Sequence, residues 1–204
     1  MAAPTNPSAA DPADPVDDSG AGARRVLVTG GAGYIGSHAA KALKQAGYEV
    51  VVFDNLCAGH RDAVKFGRLV EGDITDLAAV RQALRTERIS AVMHFAAFLD
   101  VGESVREPIK YYRNNVGGAL TVLEAMALEG VKLFVFSSTC ATYGEPRETP
   151  IPETHPQDPI NSYGASKVAI ERGLLGSHRH VFGVMFWFVL SSALGLGPAG
   201  AVAY

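Results

Sequence analysis

The sequence predicts an α/β fold, a doubly wound parallel sheet with helices on both faces. Three observations carry that expectation. From Arg25 onward, short apolar runs that read as buried strands alternate with segments of helix length, and strands joined through helices run parallel. The first run, Val26-Leu27-Val28, opens into the glycine-rich stretch Thr29-Gly30-Gly31-Ala32-Gly33-Tyr34-Ile35-Gly36. The second run, Glu49 to Phe53, ends at an acidic residue, Asp54.

The remaining elements come in order. Ile35 to Gln45 has helical spacing and stops at Gly47. Arg68 to Val70 is a third strand, followed by Asp73 and a helix from Asp76 to Arg85 with Thr75-Asp76 supplying its N-cap. Ala91 to Ala97 is the fourth strand, Pro108 to Glu129 a long helical region closed by Gly130, and Leu133 to Ser138 the fifth strand. Tyr143 to Asn161 is a loop punctuated by Pro146, Pro150, Pro152, Pro156 and Pro159, and Tyr163 to Leu175 is helical again.

At 204 residues, with 48% hydrophobic and 19% charged residues, the chain has the composition of one soluble globular domain with a real core. A net charge of -3 argues against a general nucleic-acid binder. Cys57 and Cys140 stand far apart, and the six histidines form no ligand cluster, so no metal site is expected.

Three segments are distinguished. Residues 1–23 are rich in Ala, Pro and Asp, with Asp11, Asp14, Asp17 and Asp18 but no Lys or Arg, and are expected to be a disordered tail. They lack the apolar stretch of a secretory signal, so a cytoplasmic location is expected. Residues 24–180 form the domain, and residues 181–204 a divergent apolar segment. His180 to Tyr204 carries no Asp, Glu, Lys or Arg and is long enough to span a bilayer. Its apolar run, Val181 to Leu190, is short, and Gly195, Gly197, Pro198 and Gly200 interrupt the remainder. A buried strand and loop is therefore the expectation, and a membrane is not.

The glycine stretch fits two overlapping spacings, Gly31-x-Gly33-x-x-Gly36 and Gly30-x-x-Gly33-x-x-Gly36, between a strand and a helix. Glycine admits positive φ and a close backbone approach, and the following helix points its N–H groups and dipole at a pyrophosphate. Asp54, at the end of the second strand, stands where a carboxylate would hold the adenosine ribose hydroxyls. Such a carboxylate repels a 2′-phosphate, so the expected cofactor is NAD rather than NADP.

Tyr163-Gly164-Ala165-Ser166-Lys167 places a tyrosine and a lysine four residues apart on one helix face. A free tyrosine, with its pKa near ~10, is a poor base at neutral pH. A nearby ammonium favours the phenolate, and the lowered pKa suits general base catalysis on a sugar hydroxyl. The fifth strand ends in Ser137-Ser138-Thr139-Cys140, and a hydroxyl at a strand's carboxyl end can share a hydrogen bond with the substrate hydroxyl and the tyrosine.

These motifs resemble the extended short-chain dehydrogenase/reductase family, and within it the nucleotide-sugar 4-epimerases. The similar stretches are Val28 to His38, His94 to Ala97, Val101 to Ser104, Tyr111 to Val116, Phe136 to Gly144 and Asn161 to Lys167, in order across roughly Arg25 to Arg172. The resemblance implies a Rossmann-like NAD-binding domain. Gly30, Gly33, Tyr34, Ile35 and Gly36 would hold the pyrophosphate, Asp54 and Asn55 the adenosine ribose, and Asp73 and Ile74 the adenine. Phe95, Ala96 and Ala97 would line the nucleotide cleft, with Asn114 nearby. Thr139, Tyr163 and Lys167 would be the catalytic residues, Lys167 also binding the nicotinamide ribose. The implied substrate is a UDP-sugar, with UDP-glucose and UDP-galactose interconverted through a 4-keto sugar, and the implied assembly is a homodimer.

The related dehydratases usually carry an Asp-Glu pair after the strand-five hydroxyl, where this sequence has Cys140-Ala141, so elimination ranks below epimerisation. Beyond Arg172 the resemblance fades: family members place an Arg-Tyr-Phe-Asn-like strand near the position of Leu190-Ser191-Ser192-Ala193 and continue into a C-terminal substrate domain, which is expected to be missing here. Two alternatives to the epimerase therefore stand: a catalytically inactive NAD-binding fragment, and an NAD-dependent nucleotide-sugar dehydrogenase.

Overall fold

The computed structural model describes residues 24–152, 154–176 and 182–186. The tail expected over 1–23 and the end of the apolar segment, 187–204, lie outside the described residues.

Six strands form one parallel sheet: β1 (Arg25–Thr29), β2 (Glu49–Asp54), β3 (Arg68–Glu71), β4 (Ala91–His94), β5 (Leu133–Ser137) and β6 (Phe182–Phe186). Their order is β3-β2-β1-β4-β5-β6. Every pairing is parallel, with Thr29 beside both Phe53 and His94 at the carboxyl edge. The chain winds outward from β1 to β3, then crosses back to β4, which leaves a crevice beyond the ends of β1 and β4. The strand expected within Val181–Leu190 is β6, paired with β5 from Phe182↔Leu133 to Phe186↔Ser137.

Alternation along the central strands divides the core. Val26 and Val28 of β1, with Val50 and Val52 of β2, pack with Ala40 of α1 (Tyr34–Gln45) on one face. Leu27, Val51 and Phe53 point to the other face, against α2 (Leu77–Thr86), α5 (Gly118–Glu129) and α6 (Ser162–Gly176). Burial on both faces explains why these strands read as continuous apolar runs.

Several boundaries differ from the sequence reading, each for a local reason. The fourth strand stops at His94 rather than Ala97, because its partner β1 ends at Thr29 as the chain turns at Gly30. A short helix, α3 (Val101–Arg106), appears where none was expected, capped by Asp100, whose side chain accepts from Glu103 N at 2.7 Å. The long helix is divided into α4 (Pro108–Tyr111), a π-helical stretch (Tyr112–Gly117) and α5. The widened stretch carries Asn115, whose side chain bonds Phe98 N and O and Ser166 Oγ. Asp76 caps α2 as expected, accepting from Ala79 N at 3.1 Å. Asn161 caps α6 by accepting from Gly164 N at 2.8 Å, which starts that helix one residue early, at Ser162.

Candidate functional site

The glycine turn lies in the crevice. Gly30 takes φ 71°, and a Cβ there would stand 2.6 Å from Ala96 N, so conformation and packing both require glycine. A Cβ on Gly36 would collide with the carbonyl oxygen of Gly30, which seats α1 tightly on the turn. Gly33 differs. It has φ -83° and ψ 175°, open to any residue, and the nearest atom to a Cβ would be Gly30 O at 3.3 Å. That contact is tight, but the carbonyl oxygen is the one atom within 4 Å of such a Cβ, and the space on its other sides at the mouth of α1 is open. That helix has no side-chain cap and no acidic residue in its first turn. Open space before uncapped N–H groups at the positive end of a helix dipole fits a pyrophosphate. Tyr34 and Ile35 come next along the chain and are exposed.

Asp54 ends β2 beside the turn and ties it down. One carboxylate oxygen accepts from Ala32 N at 3.0 Å and the other from Leu56 N at 2.8 Å, holding Leu56 at φ 58°, a left-handed conformation costly for leucine. A carboxylate has about four lone-pair sites, so capacity for ribose hydroxyls remains. Asn55 donates to Asp73 at 2.8 Å. Burial pushes the Asp73 carboxyl upward, but hydrogen bonds from the Thr75 hydroxyl and N–H and from Asn55 outweigh it, and the pKa ends below its ordinary value. Ile74 packs inward against Gly118, and Phe95, Ala96 and Ala97 leave β4 half-buried. Asn114 donates to Asn115 Oδ1 at 2.9 Å.

Thr139, Tyr163 and Lys167 meet at the end of β5. Thr139 precedes a short 3-10 turn (Cys140–Tyr143), and its hydroxyl accepts from Ala141 N at 3.3 Å. A Cβ on Gly164 would collide with Ala141 O, so glycine lets the start of α6 close on this turn. The Tyr163 hydroxyl is thereby hydrogen-bonded to the Thr139 side chain. Lys167 is 3% exposed and donates to Ser137 O at 2.9 Å, with Nζ 4.8 Å from the Phe136 ring centroid and 6.0 Å from that of Tyr163.

The electrostatics correct one expectation. The Tyr163 pKa is raised, not lowered: burial disfavours the phenolate, Cys140 adds to that, and only the Thr139 hydrogen bond opposes. The four-residue spacing does bring Lys167 alongside, but its ammonium bonds the Ser137 carbonyl. Burial in turn lowers the Lys167 pKa to about 8, against the attraction of Glu171.

Residues that the sequence reading did not single out hold the site together. Asn115, fully buried, links Phe98, and so the end of the β4 segment, to Ser166 beside Lys167. His94 is buried at the end of β4 within 2.8 Å of Thr29 Oγ1 and stacked on Phe136; burial and then the nearby Lys167 lower its pKa to about 3. Glu171 lies one helical turn beyond Lys167 and accepts from Ser138 and Gln157. Its place in the 163-167-171 stripe was the available signal. Among the described residues there is no His, Cys, Asp and Glu grouping fit for a metal, and no helix long and apolar enough to cross a membrane.

A parallel sheet in this order, with a glycine turn at its switch point and an acidic residue ending β2, defines a Rossmann-like dinucleotide-binding domain. The chain belongs to the NAD dependent epimerase/dehydratase family, whose model matches residues 26–199. It is 52% identical over 149 residues to a UDP-glucose 4-epimerase of Rhizobium leguminosarum bv. trifolii, covering 73% of this chain and 46% of that one. A UDP-glucose 4-epimerase of Lacticaseibacillus casei is 54% identical over 148 residues, covering 72% and 45%. Among solved structures, UDP-glucose 4-epimerase from Brucella ovis in complex with NAD superimposes with a TM-score of 0.78 at 48% identity, over 80% of this chain and 51% of that one. The chain thus spans about half the length of the curated relatives it matches.

Proposed function

We propose that this chain binds NAD across the ends of β1 and β4 and that its site interconverts UDP-glucose and UDP-galactose by inversion at C4 of the sugar. The observation that carries this reading is the Tyr163 hydroxyl bonded to Thr139 at the end of β5, with a buried Lys167 one helical turn away.

The chain's residues divide the work. Gly30, Gly33 and Gly36, with Tyr34 and Ile35, form the open mouth of α1 and receive the pyrophosphate. Asp54 and Asn55 take the ribose, and Asp73 and Ile74 flank the adenine. Phe95, Ala96 and Ala97 wall the cleft, with Asn114 behind them. NAD, when bound, supplies a hydride acceptor for C4, a cationic ring, and the hydride that is later returned.

Tyr163 is the group that accepts the C4 hydroxyl proton and later gives it back. Its raised pKa means that burial opposes the phenolate, so neighbouring positive charge must favour it. Thr139 bonds the tyrosine oxygen and orients the sugar hydroxyl toward it. Lys167 contributes charge beside Tyr163 and a donor for the nicotinamide ribose. No carboxylate stands after Thr139 in the 3-10 turn Cys140–Tyr143, which leaves nothing there to drive elimination.

We infer a homodimer as the assembly, supported by exposed Val101, Val105, Ile109 and Tyr112 along α3, α4 and the widened stretch. The mass in solution by light scattering tests it.

The reaction is tested by giving the purified chain NAD and UDP-galactose and measuring UDP-glucose, with Tyr163→Phe as control. Product that falls by about a hundredfold or more in the control supports the epimerase. No product from a folded, NAD-binding sample refutes it in favour of an inactive NAD-binding fragment. Net accumulation of NADH identifies a nucleotide-sugar dehydrogenase instead, because an epimerase returns its hydride.

A further inference from the structure

Glu171 is the third polar residue on the face of α6 that carries Tyr163 and Lys167, and it is 4% exposed. One carboxylate oxygen accepts from Ser138 Oγ and the other from Gln157 Nε2. Ser138 lies between two residues of the site: Ser137, whose carbonyl receives Lys167, and Thr139, whose side chain bonds Tyr163. Gln157 belongs to the loop leading from β5 to α6. One carboxylate therefore fastens the strand end and the loop to the helix bearing the tyrosine and lysine.

A carboxylate in the interior is costly unless hydrogen bonds and an opposite charge compensate it. Ser138 and Gln157 are neutral donors and supply only the hydrogen bonds. Around Lys167 the titratable groups are His94 from β4 and Tyr163 and Glu171 from α6; the β5 side presents the Ser137 carbonyl and the Phe136 ring. Of the titratable groups, Glu171 is the one that attracts an ammonium.

We propose that Glu171 is a positioning residue of this site: its carboxylate keeps Lys167 charged against the Ser137 carbonyl and, through Ser138, holds Thr139 in register with Tyr163. This deepens the reading of Tyr163 and Lys167 as catalytic residues and rests on it. Glu171 acts through its neighbours and touches no reacting atom.

The test observes Lys167 directly, by the pH titration of its 13Cε NMR signal in the full chain, assigned by its loss in Lys167→Arg. In Glu171→Gln, which keeps the shape and removes the charge, the midpoint is expected to fall by about one pH unit or more. Glu171→Asp, which restores the charge, should recover most of that fall. An unmoved midpoint in a folded Glu171→Gln chain overturns the proposal. If Glu171→Gln does not fold, Glu171→Met, which removes the charge without leaving an amide to be satisfied, takes its place, and the Lys167 midpoint should fall in the same way. An unmoved Lys167 midpoint in that variant overturns it. Neither titration uses NAD or a sugar. Absence of turnover therefore counts against the epimerase alone, and an unmoved Lys167 in an active enzyme counts against Glu171 alone.

Discussion

Lys167 donates from Nζ to the carbonyl oxygen of Ser137 at 2.9 Å, so the ammonium of α6 is fastened to the last residue of β5. The same amine lies 6.0 Å from the centroid of the Tyr163 ring. The strand end thus fixes where the charge sits, and the tyrosine is placed beside it by the Thr139 hydrogen bond.

The burial of Lys167 has a measurable effect on stability. Its pKa in the folded chain is lowered from 10.5 to about 8. Between those values the unfolded chain binds more protons than the folded one, so this group's contribution to stability rises with pH. The penalty for burying the ammonium is complete at neutral pH and is relieved as pH climbs through the folded value toward the unfolded one. Compared with Lys167→Met, the wild-type chain should gain about 3 kcal/mol between about pH 7 and pH 11. Denaturant titrations of both chains across that range check it. Parallel pH dependence of the two chains would contradict the assignment of Lys167 as a buried amine.

His94 works in the acid range, and its contribution to stability also rises with pH. Its pKa is lowered from 6.5 to about 3 by burial and by Lys167. Below the unfolded value the unfolded chain binds the extra proton, so stability falls with falling pH until the folded value is reached. Relative to His94→Gln, the wild-type chain should lose about 2 kcal/mol on going from about pH 7 to pH 5. Chemical denaturation at the two pH values measures the difference directly. A gap that does not change would mean that the imidazole takes up its proton as readily in the folded chain as in the unfolded one.

Much of this site is legible in the sequence because local rules fix it. The glycine turn announces itself between an apolar run and a helical one, Asp54 falls at a strand end, and Tyr163 and Lys167 share a helix face by spacing alone. The features that escape the sequence are decided by distant partners. The π-helical stretch is tied to Asn115, which bonds Phe98, 17 residues away, and Ser166, 51 residues away. The end of β4 is set by the length of β1. The direction of the Tyr163 pKa is misread because spacing gives proximity to an ammonium but neither the burial of the phenol nor the acceptor that engages the lysine. Spacing places Glu171 one turn beyond Lys167, but its burial is decided by Ser138 at the strand end and Gln157 in the loop.

Gly33 and Gly36 should separate two reasons for glycine in a phosphate-binding turn. At Gly36 an added Cβ meets the Gly30 carbonyl oxygen, a backbone atom that cannot swing aside. Gly36→Ala is therefore expected to cost about 3 kcal/mol or more, with loss of NAD binding resulting from damage to the fold. At Gly33 the backbone conformation suits any residue and the closest approach of a Cβ would be 3.3 Å. Gly33→Ala should cost less, about 1 to 2 kcal/mol, because alanine is a poorer N-cap than glycine and its methyl is tight against the same Gly30 carbonyl oxygen. Its NAD affinity should nevertheless fall about tenfold or more, the equivalent of about 1.4 kcal/mol, because the new methyl occupies space opposite the N–H groups of α1. Thermal unfolding and calorimetric NAD titration of the two variants measure both quantities. If Gly33→Ala binds NAD as the wild type does, the open space at the mouth of α1 is not where the pyrophosphate sits.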